Sequence, residues 1–327
     1  MKYLIQADGK LPNLALMRLA RYFRDRGEEV KLVHGASKRE AFWPPGDVYG
    51  SSIFAEQSAE LRRRIEQEWG VIRWGGTGVR LESSLAEVDS AIDWESVLPD
   101  YSIYPNELRS IGFTQRGCRL RCPFRIVPAK EGKVRAVHSI AQIWRGEPWP
   151  RDLLLLDNDF FGQRQWRDRV EEIRAGGFRV SFNQGINVRN LTDEQAAAIA
   201  SVDYRDDSFK TRRIYTAWDN AIDGPALFCG LEALVGHGVK PDHIMVYMLV
   251  GFWPGETEEA RDSRRRRLRE FGARPYPMPY KRTPELLGFQ RWVIGAYDKK
   301  IPWAEWKAAR FDPRRLTRRT GGAVRGN

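Results

Sequence analysis

Cysteine is scarce in this chain, with three among 327 residues, too few for a disulfide framework. Long apolar runs are missing as well. The longest, Leu153 to Leu156 and Ile244 to Phe252, fall far short of the ~20 residues that cross a bilayer, so neither a membrane span nor a membrane partner is expected. The first ten residues meet Gln6, Asp8 and Lys10 before any run able to serve as a signal-peptide core, and a cytoplasmic location is expected. The four histidines, at 34, 138, 237 and 243, never stand at the i, i+4 spacing of a helical metal site. Acidic residues run short in one place only. Residues 1–100 hold 14 Lys/Arg and 16 Asp/Glu, whereas residues 261–327 hold 19 against 6. Two readings of that excess stay open: a surface for nucleic acid, where counterion release drives binding, or a solvated helix face around Arg261–Arg269 with a frayed tail from Asp312 onward.

What is present is the balance of a globular protein, 42% apolar, 30% charged and 12% aromatic, over a length suited to two domains. An opening apolar run, YLIQAD, is followed from Leu14 to Gly27 by Leu16, Leu19, Ala20 and Phe23 at helical spacing. Val30–Val33 and Asp47–Phe54 read as strands, Ser58–Trp69 as a charged amphipathic helix, and Val71-Ile72 as a short apolar step. This alternation predicts a small Rossmann-like α/β domain over residues 1–100. The stretch from Ser83 to Pro105 reads as a connection.

A second series of strands is expected at Ile111–Thr114, Leu153–Asp157, Phe178–Asn183, Arg213–Trp218, His243–Val250 and Arg274–Met278, with amphipathic stretches between most of them. Six strands in this rhythm predict a partial (β/α)6 TIM-type barrel over 101–282, with a basic helix and tail over 283–327. In barrels the functional groups lie in the turns after the strands.

The most specific of those turns is Gly112-Phe-Thr-Gln-Arg-Gly-Cys118-Arg-Leu-Arg-Cys122-Pro-Phe-Arg125. It resembles the cluster loop of the radical S-adenosylmethionine superfamily, a C-x3-C-x2-C pattern after the first barrel strand. The resemblance implies a 4Fe-4S cluster held by three thiolates, soft ligands suited to iron and sulfur, and S-adenosylmethionine bound to the fourth iron. Cys118 and Cys122 would be metal ligands and Phe124 a neighbour of the adenine. The pattern departs at position 125, because a guanidinium cannot ligate iron. Three explanations compete: loss of the radical chemistry, a non-cysteine ligand, or a one-base change in the codon. Cys229, in the apolar stretch from Ala226 to Leu234, is expected to be a core residue and no substitute.

Further turns resemble the family in order, over about residues 108–282. Asp157 and Asn158 stand where its members hold the amino group of S-adenosylmethionine, Asp219 where they contact ribose or carboxylate, and Gly251, in Gly251-Phe-Trp-Pro-Gly-Glu256-Thr257, near the adenine. The first domain resembles the cobalamin-binding type, yet the D-x-H-x-x-G motif is absent and cobalamin with an axial His is disfavoured. The function so implied is reductive cleavage of S-adenosylmethionine to a radical that acts on an unknown substrate, with a reductant protein as partner, impaired by Arg125. The alternative is an inactive barrel that scaffolds or binds nucleic acid through residues 261–327. Zinc is disfavoured, since two thiols supply half of a structural site.

Overall fold

The computed structural model describes residues 1–310, so the expected tail beyond Arg310 lies outside the described residues. The chain forms two compact units, Met1–Asn158 and a second beginning at Asp159. Both are α/β with parallel sheets.

In the first unit, β1 (Lys2–Gln6) pairs in parallel with β2 (Val30–His34) on one side and β3 (Asp47–Ser51) on the other; β4 (Arg73–Gly75) pairs with β3. Successive residues of β1 serve opposite faces, as the two-residue repeat of a strand demands. Leu4 joins Leu16, Leu19 and Phe23 of α1 (Leu14–Arg24), whereas Tyr3 and Ile5 pack with Ile65 and Trp69 of α2 (Ala55–Trp69). Burial on both faces is what a parallel sheet requires, and each fully buried Leu or Ile here contributes about 1.5–3 kcal/mol. Asn13 starts α1 by accepting the N–H groups of Ala15 and Leu16. The short apolar step at Val71-Ile72 leads into β4, and Val71 is 93% exposed. The connection over 83–105 is part of this core, because Trp94, Tyr101 and Ile103 pack against α1.

Beyond it, β5 (Ser110–Gly112) pairs in parallel with β8 (Asp152–Leu155), in the register Ser110↔Leu153 to Gly112↔Leu155. Between them a two-residue antiparallel hairpin, β6 (Gln115–Arg116) with β7 (Arg135–Ala136), closes the neck of the cysteine loop. That loop carries the short helix α3 (Val127–Glu131), and α4 (Ile140–Ile143) follows the hairpin.

The second unit repeats the strand–helix alternation. Its elements are α5 (Trp166–Ala175), β9 (Arg179–Phe182), α6 (Asp193–Ser201), β10 (Asp203–Tyr204), β11 (Ile214–Ala217), α7 (Gly224–Gly236), β12 (Ile244–Val250), α8 (Glu258–Phe271), β13 (Arg274–Pro279), α9 (Pro284–Ile294) and α10 (Trp303–Arg310). β9 pairs with β10, and β11, β12 and β13 form a parallel sheet in that order. All six strands expected in the second series are therefore present. Strand pairing among the described residues closes no ring. Gly230 lets α7 approach the preceding segment, since a Cβ there would stand 2.0 Å from the Val188 carbonyl oxygen. No helix among the described residues is long and apolar enough to cross a membrane.

Candidate functional site

The cysteine loop begins where the β5–β8 ladder ends. Leu156 N–H still donates to Gly112 O at 2.9 Å. Past that point the side chain of Asp157 takes over: its Oδ1 accepts the N–H groups of Thr114 (2.7 Å) and Gln115 (2.9 Å), and its Oδ2 accepts the Thr114 hydroxyl at 2.6 Å. Burial pushes this carboxyl up to about 7, even though all three hydrogen bonds work to lower it. Gln115 Nε2 then donates to Gly117 O, and Gly117 N–H donates to Glu131 Oε2, both at 2.8 Å. Gly117 has φ +80°, and a Cβ there would stand 2.4 Å from Lys133 O. Only glycine allows this crossing of the two loop arms.

Cys118 follows at once and is 7% exposed. Its sulfur accepts the N–H of Leu120 at 3.4 Å and lies 4.0 Å from the Asn158 carbonyl oxygen. Cys122 is half-buried, and Arg125 N–H donates to its carbonyl at 3.1 Å. Phe124 and Arg125 are half-buried, and Arg119 and Arg121 are exposed. Residues 116–135 hold seven Lys/Arg and a single acid, Glu131. Arg116 pairs with Glu131 at 3.2 Å and approaches Glu95 at 3.7 Å. Burial opposes ionisation of Glu95, but Arg18 and Arg116 outweigh it and hold its carboxyl below the usual range.

In the second unit, Asp219 and Gly251 each lie in the turn after a strand. Trp253 Nε1 donates to Asp219 O at 2.8 Å, and Gly251 N–H to Glu256 Oε2 at 2.6 Å. Arg264, 4% exposed, donates to Trp218 O and Leu249 O, each at 2.9 Å, and to Glu256 Oε1. It thereby ties together the ends of β11 and β12. A cavity of about 280 Å³ opens beside this knot, lined by Gly251, Trp253, Glu256, Arg261, Glu285 and Leu286 among others.

The structure thus brings Cys118, Cys122, Phe124, Asp157 and Asn158 into the first unit and Asp219 and Gly251 into the second. Thr114, Gln115, Glu131 and Arg264 are the residues that the sequence reading missed. Cys229 is exposed, which corrects its expected place in the core: Leu227, Gly230, Leu231 and Leu234 form the inner face of α7, and position 229 points away from it. The solvated face expected around Arg261–Arg269 is also corrected. Arg261, Arg264 and Arg265 are buried, and Arg261 pairs with Glu285 (3.0 Å), Arg265 with Asp298 (3.1 Å) and Arg269 with Asp298 (2.9 Å).

The histidines serve local contacts. His138 bridges Phe113 O and Glu95 O, His237 meets Asp193, His243 meets the Tyr204 hydroxyl, and His34 is exposed at the end of β2. At the carboxyl ends of β1 and β3, where open α/β sheets hold ligands, Asp8 accepts from Ser52 Oγ and from the N–H groups of Ile53 and Phe54.

Compared with family models, curated proteins and solved structures, the chain matches none.

Among the described residues no group of three or more His, Cys, Asp or Glu is placed to hold a metal ion. The donor chemistry of the loop itself decides the fit. Two thiols and a guanidinium do not make the three-thiolate corner that a 4Fe-4S cluster with one open iron needs.

Proposed function

We propose that the chain is a member of the radical S-adenosylmethionine superfamily whose iron–sulfur chemistry is impaired at position 125. The observation that carries this reading is the loop itself. Cys118 and Cys122 stand in a glycine-dependent loop clasped by a hairpin at the end of a parallel strand, and Arg125 occupies the place of a third ligand. Support for a partial (β/α)6 barrel comes from the six strands β5, β8, β9, β11, β12 and β13, with helix between each and the next. On this reading Phe124 and Asn158, the latter with its carbonyl oxygen 4.0 Å from the Cys118 sulfur, are the first unit's contacts to S-adenosylmethionine. No reaction step is assigned through the cluster, because the donors present do not fit it.

Anaerobic reconstitution with iron and sulfide tests the reading on the full chain and on Arg125→Cys. The expected outcome is a colourless parent and a brown, iron-loaded variant. A parent that loads as well as the variant overturns the impairment, and a variant that stays colourless overturns the superfamily assignment.

The alternative, a scaffold that binds nucleic acid through residues 261–327, draws little support from α8. Its buried arginines already answer to Glu256, Glu285 and Asp298.

A further inference from the structure

We propose that Asp157 is a positioning residue that sets the geometry of the cysteine loop and does not touch a bound cofactor. The proposal is independent of which group the two thiols hold. A carboxylate offers about four lone-pair sites. Three of them are taken by Thr114 N–H, Gln115 N–H and Thr114 Oγ–H, at 2.7, 2.9 and 2.6 Å. The residue is 4% exposed, so little of it is left to meet a ligand.

The position in the fold explains the arrangement. The β5–β8 ladder runs out at Leu156 N–H to Gly112 O, and beyond it Thr114 and Gln115 are both fully buried with N–H groups that need acceptors. Unanswered, each would cost its full desolvation. Asp157 answers both from one oxygen, extending the sheet with a side chain. From there the restraint passes along the chain through Gln115 Nε2 to Gly117 O and Gly117 N–H to Glu131. The Cys118 sulfur follows a backbone fixed at each step.

Two substitutions separate positioning from cofactor contact. In Asp157→Asn the amide oxygen still accepts both N–H groups, and the amide nitrogen donates to the Thr114 hydroxyl oxygen. In Asp157→Ala both N–H groups lose their acceptor. The measurements are peptide-resolved labelling of Cys118 by a maleimide and hydrogen exchange at the Thr114 and Gln115 amides, with Cys229 labelling as the internal reference. Asp157→Ala is expected to speed Cys118 labelling and amide exchange by about tenfold or more, the scale of a lost buried hydrogen bond. Asp157→Asn is expected to stay near the parent.

Equal labelling in parent and Asp157→Ala overturns the proposal, as does an Asn variant as open as the Ala variant. If Asp157→Ala fails to fold, Thr114→Val removes the hydroxyl donor alone, and a rise of Cys118 labelling above the parent supports the proposal while no change overturns it. Equilibrium dialysis with S-adenosylmethionine supplies the opposing pattern: lost binding in Asp157→Asn with unchanged Cys118 labelling assigns the residue to the cofactor and overturns positioning.

Discussion

Each unit ties down a strand end with one buried ionisable side chain, and the two do it in opposite ways. In the first, Asp157 is clasped by neutral donors, with Arg116 as the charged side chain whose field favours its ionised form. In the second, Arg264 faces two carbonyls and the carboxylate of Glu256. Burial works against the charge in both: it raises the Asp157 carboxyl and lowers the Arg264 guanidinium, the latter opposed by Glu256. An acid held by dipoles titrates within reach of neutral pH, whereas a guanidinium held by a carboxylate stays charged across it. The first knot is therefore sensitive to pH and the second is not.

The sharpest way to break the second knot is Arg264→Ala, which leaves the buried Glu256 with only the more distant Arg261, at 3.9 Å, as a cation and takes the Arg264 donors from two carbonyls. Removing one partner of such a pair costs about 3–5 kcal/mol. Urea unfolding should show that loss with little change between pH 6 and pH 8.

The first knot should respond to pH itself. The folded-state pKa of Asp157 lies near 7, above its ordinary 3.8, so the folded chain holds this proton more tightly than the unfolded chain. The stability it contributes is full below about pH 4 and is lost as pH rises to about 7. From this group alone, stability should fall by about 2–3 kcal/mol between pH 5 and pH 8. Asp157→Asn should flatten that slope, as read from urea midpoints at the two pH values. An unchanged slope would place the proton elsewhere.

Gly117 tests how much of the first knot is backbone. With φ +80° and a Cβ position 2.4 Å from Lys133 O, Gly117→Ala should cost about 2 kcal/mol. It should also raise maleimide labelling of both Cys118 and Cys122, because the hairpin arms must separate.

The strands of both units were legible because apolar runs between turn residues carry their own signal; β1, β3 and all six of the second series appear close to where that signal stands. The turns that follow them were legible too, as Asp157, Asp219 and Gly251 show. What each polar side chain holds was not. Asp157 reaches residues 42 and 43 positions away, and Arg264 reaches Trp218, 46 positions away; nothing local marks either contact. The exposure of Cys229 was within reach, since Leu227, Gly230, Leu231 and Leu234 form an i, i+3, i+4, i+7 stripe that excludes it. In α8 the same stripe misleads, because its inner face is Arg261, Arg264, Arg265 and Leu268. A rule that turns charge outward inverts that helix.

Arg266 is the control for this last point and carries the smallest expected effect. It neighbours Arg265 in the same basic run, yet it is exposed and meets Asp262 at 3.3 Å with 58% of its side chain in solvent. Exposed pairs of this kind contribute about 0–1 kcal/mol, and alanine is the better helix former. Arg266→Ala should therefore leave the urea midpoint within about 0.5 kcal/mol of the parent. Arg265→Ala, which strips one of the two arginines facing the buried Asp298, should cost clearly more. Equal costs at 265 and 266 would mean that the charge count of this segment matters and the placement does not, and the contrast between the two knots would lose its physical basis.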